Sequence, residues 1–181
     1  MKVIVFLADG FELVEAMCPI DMLRRAGADL MTVSLNETEK VMSAQGVAVM
    51  ADTLIASLDG ALPDMIFLPG GMPGATNLRN CPTVCDMTER VLANGGFVAA
   101  ICAAPFILGD LGLLNGKEAT CYPGFEEHLR GAIPGNRKVV RDGNVITAAG
   151  MGVALPFAAE LTAALFGREK ADSLLAAIQS L

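Results

Sequence analysis

Three short segments of this chain place chemically useful groups where the backbone has to turn sharply. The first is Gly96-Phe97-Val98-Ala99-Ala100-Ile101-Cys102-Ala103-Ala104-Pro105-Phe106, an apolar strand that runs directly into helical sequence. Pro105 stands where the first turn of a helix tolerates it. A thiol at that elbow lies beside free backbone N–H groups and a helix dipole, so the expectation for Cys102 is a pKa below that of an ordinary cysteine, as a nucleophile requires. The competing reading is a small buried core thiol, the usual fate of a free cysteine.

The second segment is Phe67-Leu68-Pro69-Gly70-Gly71-Met72-Pro73-Gly74. Paired glycines let the backbone approach a ligand closely and expose its N–H groups. With the N–H of Ala103, that of Gly71 would form a hole for a carbonyl oxygen made negative by thiolate attack. Taken alone, Gly-Gly and Pro-Gly read as an ordinary turn. The third segment, Ala8-Asp9-Gly10-Phe11-Glu12-Leu13-Val14-Glu15-Ala16, ends one strand and opens a helix with two carboxylates three residues apart. Glu12 suits a helix dipole. Glu15 shares its helix with Leu13, Met17 and Ile20 and is expected to be partly buried, which raises a carboxyl pKa and favours the proton-donating form. Periodicity alone leaves both carboxylates open.

The elements that must position these groups alternate regularly. Strands are expected at Val3 to Leu7, Leu30 to Ser34, Met65 to Leu68, Phe97 to Ile101, Ala119 to Tyr122 and Val145 to Ala148. Helical spacing covers Glu12 to Ala26, Thr83 to Ala93, Pro105 to Leu114, Val153 to Leu165 and Ala171 to Leu181. That order predicts an α/β fold with a mostly parallel sheet, in which ligands bind beyond the carboxyl ends of strands. Val47 to Met50 reads as a short extra strand, and the Asp142-Gly143 pair as the turn of a hairpin; both are expected as antiparallel additions to the sheet.

Composition narrows the function. A chain of 181 residues is expected to be one domain, 1–181, and every apolar run is interrupted well before membrane-spanning length despite a hydrophobic fraction of 53%. A net charge of -7 argues against nucleic acid and for small molecules or proteins as partners. The amino terminus carries no signal-like segment, so a cytoplasmic location is expected. The five cysteines, Cys18, Cys81, Cys85, Cys102 and Cys121, read as free thiols. With His128 the single histidine, and Cys81 and Cys85 lacking a second ligand pair, no metal is expected.

Leu68-Pro69-Gly70-Gly71, the Ala99-Ala100-Ile101-Cys102-Ala103 elbow, Asp9-Gly10-Phe11-Glu12-Leu13-Val14-Glu15, Asp21-Met22-Leu23-Arg24-Arg25-Ala26-Gly27 and Ile146-Thr147-Ala148-Ala149-Gly150 together resemble the ThiJ/PfpI superfamily, in the branch of the parkinsonism-associated protein deglycase. The resemblance covers nearly the whole chain. It implies a flavodoxin-like three-layer sandwich, a homodimer and no cofactor. It also implies Cys102 as nucleophile, Glu15 as the carboxyl that hydrogen-bonds its sulfur, Gly71 and Ala103 as backbone donors, and Gly70 and Tyr122 as site lining. Glu15 is thereby chosen over Glu12.

The activity implied is on 2-oxoaldehydes such as methylglyoxal, or on their adducts with thiols and amines, in the manner of a glutathione-independent glyoxalase or protein deglycase. The alternative is a redox-sensing or chaperone-like stress protein that uses oxidation of Cys102. The chain also departs from the pattern. Ala103 stands where the protease-like branch has histidine, so peptidase activity is not expected, and Tyr122 stands where other relatives have histidine. Met151-Gly152-Val153-Ala154 replaces small hydroxyl residues. His128 is expected on a solvent-facing helix.

Overall fold

The structure is a computed structural model and describes residues 1–180. Its strands are β1 (Lys2–Leu7), β2 (Asp29–Ser34), β3 (Lys40–Met42), β4 (Ala48–Met50), β5 (Thr53–Leu54), β6 (Met65–Leu68), β7 (Phe97–Ile101), β8 (Glu118–Ala119), β9 (Ile133–Pro134), β10 (Val139–Asp142) and β11 (Val145–Ala148). The helices are α1 (Leu13–Ala26), α2 (Gly74–Arg79), α3 (Pro82–Ala93), α4 (Pro105–Asp110), α5 (Ala154–Phe166) and α6 (Arg168–Ala177). Seven strands form one sheet in the order β10-β11-β7-β6-β1-β2-β5. All neighbours are parallel except β10, which folds back on β11 through the expected Asp142-Gly143 turn.

Strand alternation divides the core between two faces, the period that a pleated backbone imposes. On one face Val3, Val5 and Leu7 of β1 meet Ala16, Ile20 and Leu23 of α1 and Phe157, Leu161 and Leu165 of α5. On the other, Ile4, Phe6 and Ala8 meet Ala75 and Leu78 of α2, Val84, Met87 and Val91 of α3, and Ile107 and Leu108 of α4. The result is the three-layer sandwich expected. Helix α1 starts because Glu12 caps it, its carboxylate accepting from the Glu15 N–H at 2.6 Å. It stops at Gly27, whose φ of 96° sends its N–H back to the Arg24 carbonyl.

Several expected elements settle differently. Ala119 to Tyr122 does not join the main sheet. Glu118 and Ala119 pair with β9 alone, while Thr120 N–H donates to Thr147 Oγ1 and Tyr122 N–H to the Cys102 carbonyl, so single bonds hold the segment instead of a ladder. Val47 to Met50 yields β4, but it pairs with β3 in a separate two-stranded sheet. Helix α4 ends at Asp110, four residues short of Leu114, ahead of Gly112 at a φ of 71°. The short helix α2 has no expected counterpart. The last helix begins earlier, at Arg168, and ends at Ala177; its expected end, Leu181, lies outside the described residues. His128 sits in a 3-10 turn, Glu126–His128, with its ring against Phe106 and Phe125.

The β3–β4 pair clasps the turn between β1 and α1. The Gly10 N–H donates to the Met42 carbonyl and the Ala44 N–H to that of Phe11, each at 2.8 Å, and Asp9 Oδ1 accepts from the Met42 N–H and from Asn36 Nδ2. The same turn touches the segment after β6: a Cβ at Gly10 would lie 2.7 Å from Pro73 N and 3.0 Å from Gly74 N. Gly10 has a φ of 87°, which costs other residues about 1–2 kcal/mol. Gly27, at 96°, faces open space. Gly10→Ala is therefore expected to destabilise the protein by about 3 kcal/mol and Gly27→Ala by about 1 kcal/mol in urea unfolding, the excess measuring the clash with the Pro73 segment. Equal costs would mean that the two segments do not constrain each other.

Candidate active site

The carboxyl ends of β1, β6 and β7 lie side by side, and the chain order reverses between β1 and β6, since β1 leads outward to β2 on one flank and β6 to β7 on the other. Such a switch point opens a crevice. Into it project the three segments with chemical potential: the β1–α1 turn with Glu15, the Pro69-Gly70-Gly71 loop after β6, and Cys102 after β7.

Cys102 has a φ of 64°; among the described residues the only other non-glycine with positive φ is Gln179, near the end of the chain. This left-handed conformation is strained for a residue with a Cβ and is held from both sides. The Cys102 N–H donates to the Ala148 carbonyl of β11, and its own carbonyl accepts from the Tyr122 N–H, both at 2.8 Å. The turn aims the thiol away from the strand. Cys102 is partly exposed, and its sulfur faces the N–H groups of Ala103 and Gly71 and the carboxyl of Glu15. Cys85 and Cys121 are buried.

Glu15 is 1% exposed, and its Oε2 has no hydrogen-bond partner of good geometry. Its carboxyl faces Cys102 and the N–H groups of Gly70 and Met151. Gly70 is the reason this approach is possible. A Cβ there would run into Glu15 Oε2 and lie 2.6 Å from the Cys102 Cβ and 2.8 Å from the Ile101 carbonyl. Gly71, at a φ of 88°, is pressed against the Phe11–Glu12 backbone, and the Glu12 N–H donates to the Gly70 carbonyl at 2.9 Å. Gly70 and Gly71 thus serve as a spacer of minimal thickness between the carboxyl-bearing turn and the elbow.

Burial pushes the Glu15 carboxyl up to about 7, with a smaller push from the Glu12 charge; Cys102 and the N–H groups of Gly70 and Met151 pull the other way. The thiol departs from the sequence expectation. Burial pushes Cys102 up to about 12, and the Glu15 charge adds to the rise, outweighing the Ala103 and Gly71 N–H groups that lower it. Those donors and a helix dipole favour the thiolate, yet α4 is only six residues long and desolvation is the larger effect. Carboxyl and thiol are best treated as one titrating unit. The first proton leaves the carboxyl near neutrality, and the pair then holds a single proton. Moving it from sulfur to Glu15 places the charge on sulfur, against the two N–H groups.

The remaining residues fall into place around this pair. Glu12, the other carboxylate, is the cap of α1. Tyr122 is half exposed, its ring edge beside Gly150, where a Cβ would lie 3.3 Å from Tyr122 Cδ2. Met151, whose N–H reaches Glu15, is a site residue that the sequence does not single out, because its contribution comes from the backbone and not from the side chain. Its position directly after Gly150 at a strand end was the available signal. Among the described residues no three His, Cys, Asp or Glu side chains gather as metal ligands, and no helix of the structure is long and apolar enough to cross a membrane.

The DJ-1/PfpI family pattern matches residues 1–164. The chain is 40% identical over 172 residues to Protein DJ-1 homolog B of Arabidopsis thaliana, covering 94% of this chain but 39% of that relative, so it spans well under half of the relative's length. It is 31% identical to the Glutathione-independent glyoxalase DJR-1.2 of Caenorhabditis elegans, over 91% of this chain and 88% of that protein. The solved structure of oxidised Toxoplasma gondii DJ-1 superposes with a TM-score of 0.95 at 37% identity, covering 98% of this chain and 97% of the other. With this fold, and with a match over most of its length, the chain belongs to the DJ-1/PfpI family.

Proposed function

We propose that this protein is a cofactor-free enzyme that acts on 2-oxoaldehydes, or on their adducts with thiols and amines, through Cys102 and Glu15. The observation that carries the reading is the buried carboxyl of Glu15, with an unpartnered oxygen, held against a strained, partly exposed thiol between two backbone N–H groups. A relative of similar length bears the name of a glutathione-independent glyoxalase, which supports the substrate class.

With methylglyoxal the steps balance as follows. Glu15 takes the thiol proton and the sulfur adds to the aldehyde carbon, giving a hemithioacetal whose oxyanion lies toward the Gly71 and Ala103 N–H groups and then takes that proton from Glu15, which is a carboxylate again. Glu15 removes the proton on the former aldehyde carbon, and the electron pair moves onto the neighbouring ketone oxygen to give an enediolate. Glu15 returns that proton to the neighbouring carbon while the hydroxyl proton on the sulfur-bearing carbon passes to the neighbouring oxygen, leaving a thioester of lactate on Cys102, and water cleaves it to lactate and free thiol. A carboxyl lifted to about 7 suits both halves of this proton transfer. Peptidase chemistry is not proposed, because no histidine adjoins Cys102 in the sequence and His128 packs on Phe106 and Phe125.

A second reading, redox sensing, has its own support: the same N–H groups and the unpartnered Glu15 oxygen suit a sulfinate on Cys102. Turnover separates the two. Wild type is expected to form many equivalents of lactate per chain without glutathione or added metal, and both Cys102→Ser and Glu15→Gln to lose at least about a hundredfold in rate. Equal lactate from all three proteins would exclude the enzymatic mechanism and leave the sensor.

The pH dependence tests the shared proton. Alkylation of Cys102 by iodoacetamide is expected to rise as pH increases through about 7, because the base must be charged to take the thiol proton. In Glu15→Gln that rise should vanish, leaving only the high-pH ionisation of the thiol. A step near 7 that survives the substitution would assign it to another group.

A homodimer belongs to this proposal. Val14 of α1 and Met42, Val47 and Met50 around the β3–β4 pair are all exposed apolar side chains, beside the turn that carries Glu15. Multi-angle light scattering at micromolar concentration is expected to give twice the chain mass of 18.8 kDa, and Met50→Asp to shift it toward the monomer. A wild-type monomer mass would rule the dimer out.

A further inference from the structure

The chain carries a net charge of -7, yet one groove on the far flank of the sheet is basic. It lies where the edge strand β10 meets α5 and the start of α6, and it encloses about 470 Å³ lined by Arg137, Val139, Arg141, Pro156, Glu160 and Arg168. Three guanidinium groups and one carboxylate line it. Glu160, its side chain 19% exposed, accepts from Arg168 Nη2 at 2.5 Å and from Arg141 Nη1 at 3.4 Å, holding two of the arginines side by side. Arg141 is also stacked over Phe97, 5.2 Å from the ring centroid. Arg137 is anchored from outside the groove, 3.4 Å from Glu118.

This arrangement differs from scattered surface charge. Two arginines are fixed by a shared carboxylate and a ring, so little side-chain freedom is lost on binding an anion, and each fork keeps further N–H donors. The groove itself has two more positive charges than negative ones. Arg168 is also the first residue of α6, a ten-residue helix whose cap, Gly167, supplies no side chain to the opening N–H groups. The positive end of that helix adds to the field. The other carboxylates nearby are Glu118, which pairs with Arg137, and Glu169 and Asp172 of α6, none of which lines the groove. Val139 and Pro156 provide an apolar floor, and the volume is that of a small-molecule site.

From this we infer that the groove between β10, α5 and α6 binds the phosphoryl group of a small organic phosphate, with Arg137, Arg141 and Arg168 around the dianion and the organic part over Val139 and Pro156. Two surplus positive charges match a phosphate monoester dianion, and planar forks match its oxygens pairwise. The inference stands apart from the chemistry at Cys102, because it rests on no residue of that site.

The test is titration of the full chain with phenyl phosphate, followed by two-dimensional amide NMR at constant ionic strength, with sodium chloride as the reference and inorganic phosphate as the second probe. Saturable shifts are expected at residues 137–141 and 167–170, with a Kd of about 1 mM or tighter and with weaker binding of inorganic phosphate. Arg141→Gln and Arg168→Gln should each weaken binding about tenfold or more. Arg137→Gln, at a largely exposed side chain, should weaken it severalfold with the rest of the spectrum unchanged, while Arg90→Gln, outside the groove, should leave it unaltered. Shifts reproduced by chloride, or affinities indifferent to all three groove substitutions, would overturn the site. Equal binding of inorganic phosphate would overturn the organic part of the ligand.

Discussion

The close approach of two backbone turns at Gly70 and Gly71 is the constraint on which the site depends. The turn from β1 into α1 and the loop after β6 touch so tightly that a Cβ at Gly10, Gly70, Gly71 or Gly74 would meet backbone of the other segment, or of the elbow, at 3.0 Å or less. One hydrogen bond, Glu12 N–H to the Gly70 carbonyl, ties the contact. Glu15 follows the tie by one helical turn and therefore arrives at the elbow with its carboxyl already committed. The β3–β4 pair, which adds nothing to the main sheet, is explained by the same need: it fixes the β1–α1 turn from the opposite side.

The site is costly to hold together. Raising a carboxyl from 4.5 to about 7 corresponds to about 3 kcal/mol of unfavourable burial once the group is charged. The sign follows from the direction of the shift: the neutral acid is tolerated below the unfolded-state value, and stability is lost as pH rises through the folded one. Left-handed backbone at Cys102 adds about 1–2 kcal/mol more. Neither cost has a structural return where it arises. Both are offset by the two apolar faces of the sheet, where edge-to-face contacts such as Phe67 on Phe157 mark close packing.

The sheet was legible in the sequence because buried parallel strands write their own signature. Met65 to Leu68 and Phe97 to Ile101 are unbroken apolar runs, Val145 to Ala148 is broken only by the β-branched Thr147, and the structure reproduces the bounds of all three. Ala119 to Tyr122 misled for the same reason: it is apolar and β-prone, but its N–H groups go to a threonine hydroxyl and to the elbow, which no local pattern records. The cysteine elbow was visible as a strand meeting Pro105. Its acidity was not, since desolvation depends on what the fold packs around sulfur. Glu15 and Glu12 were separable only through resemblance to a family, although the structure assigns Glu12 to the cap by one short bond. The basic groove was invisible because Arg137 of the β9–β10 loop and Arg141 of β10 meet Arg168 of α6, which is distant in sequence.

A thiol held high by burial suits the proposed reaction differently from the thiol expected from sequence, whose pKa would lie below that of an ordinary cysteine. Nucleophilicity falls as thiol pKa falls, so a permanently ionised sulfur would be a weaker nucleophile and would also stand open to any passing oxidant. In the proposed mechanism the sulfur gains its charge only as Glu15 takes the proton, and the same carboxyl carries the proton between the two substrate carbons. Activation and proton transfer are then a single arrangement. The proposed mechanism needs no histidine: Ala103 and Tyr122 supply none, and the base it uses is Glu15, which the tie between Glu12 and Gly70 holds at the sulfur.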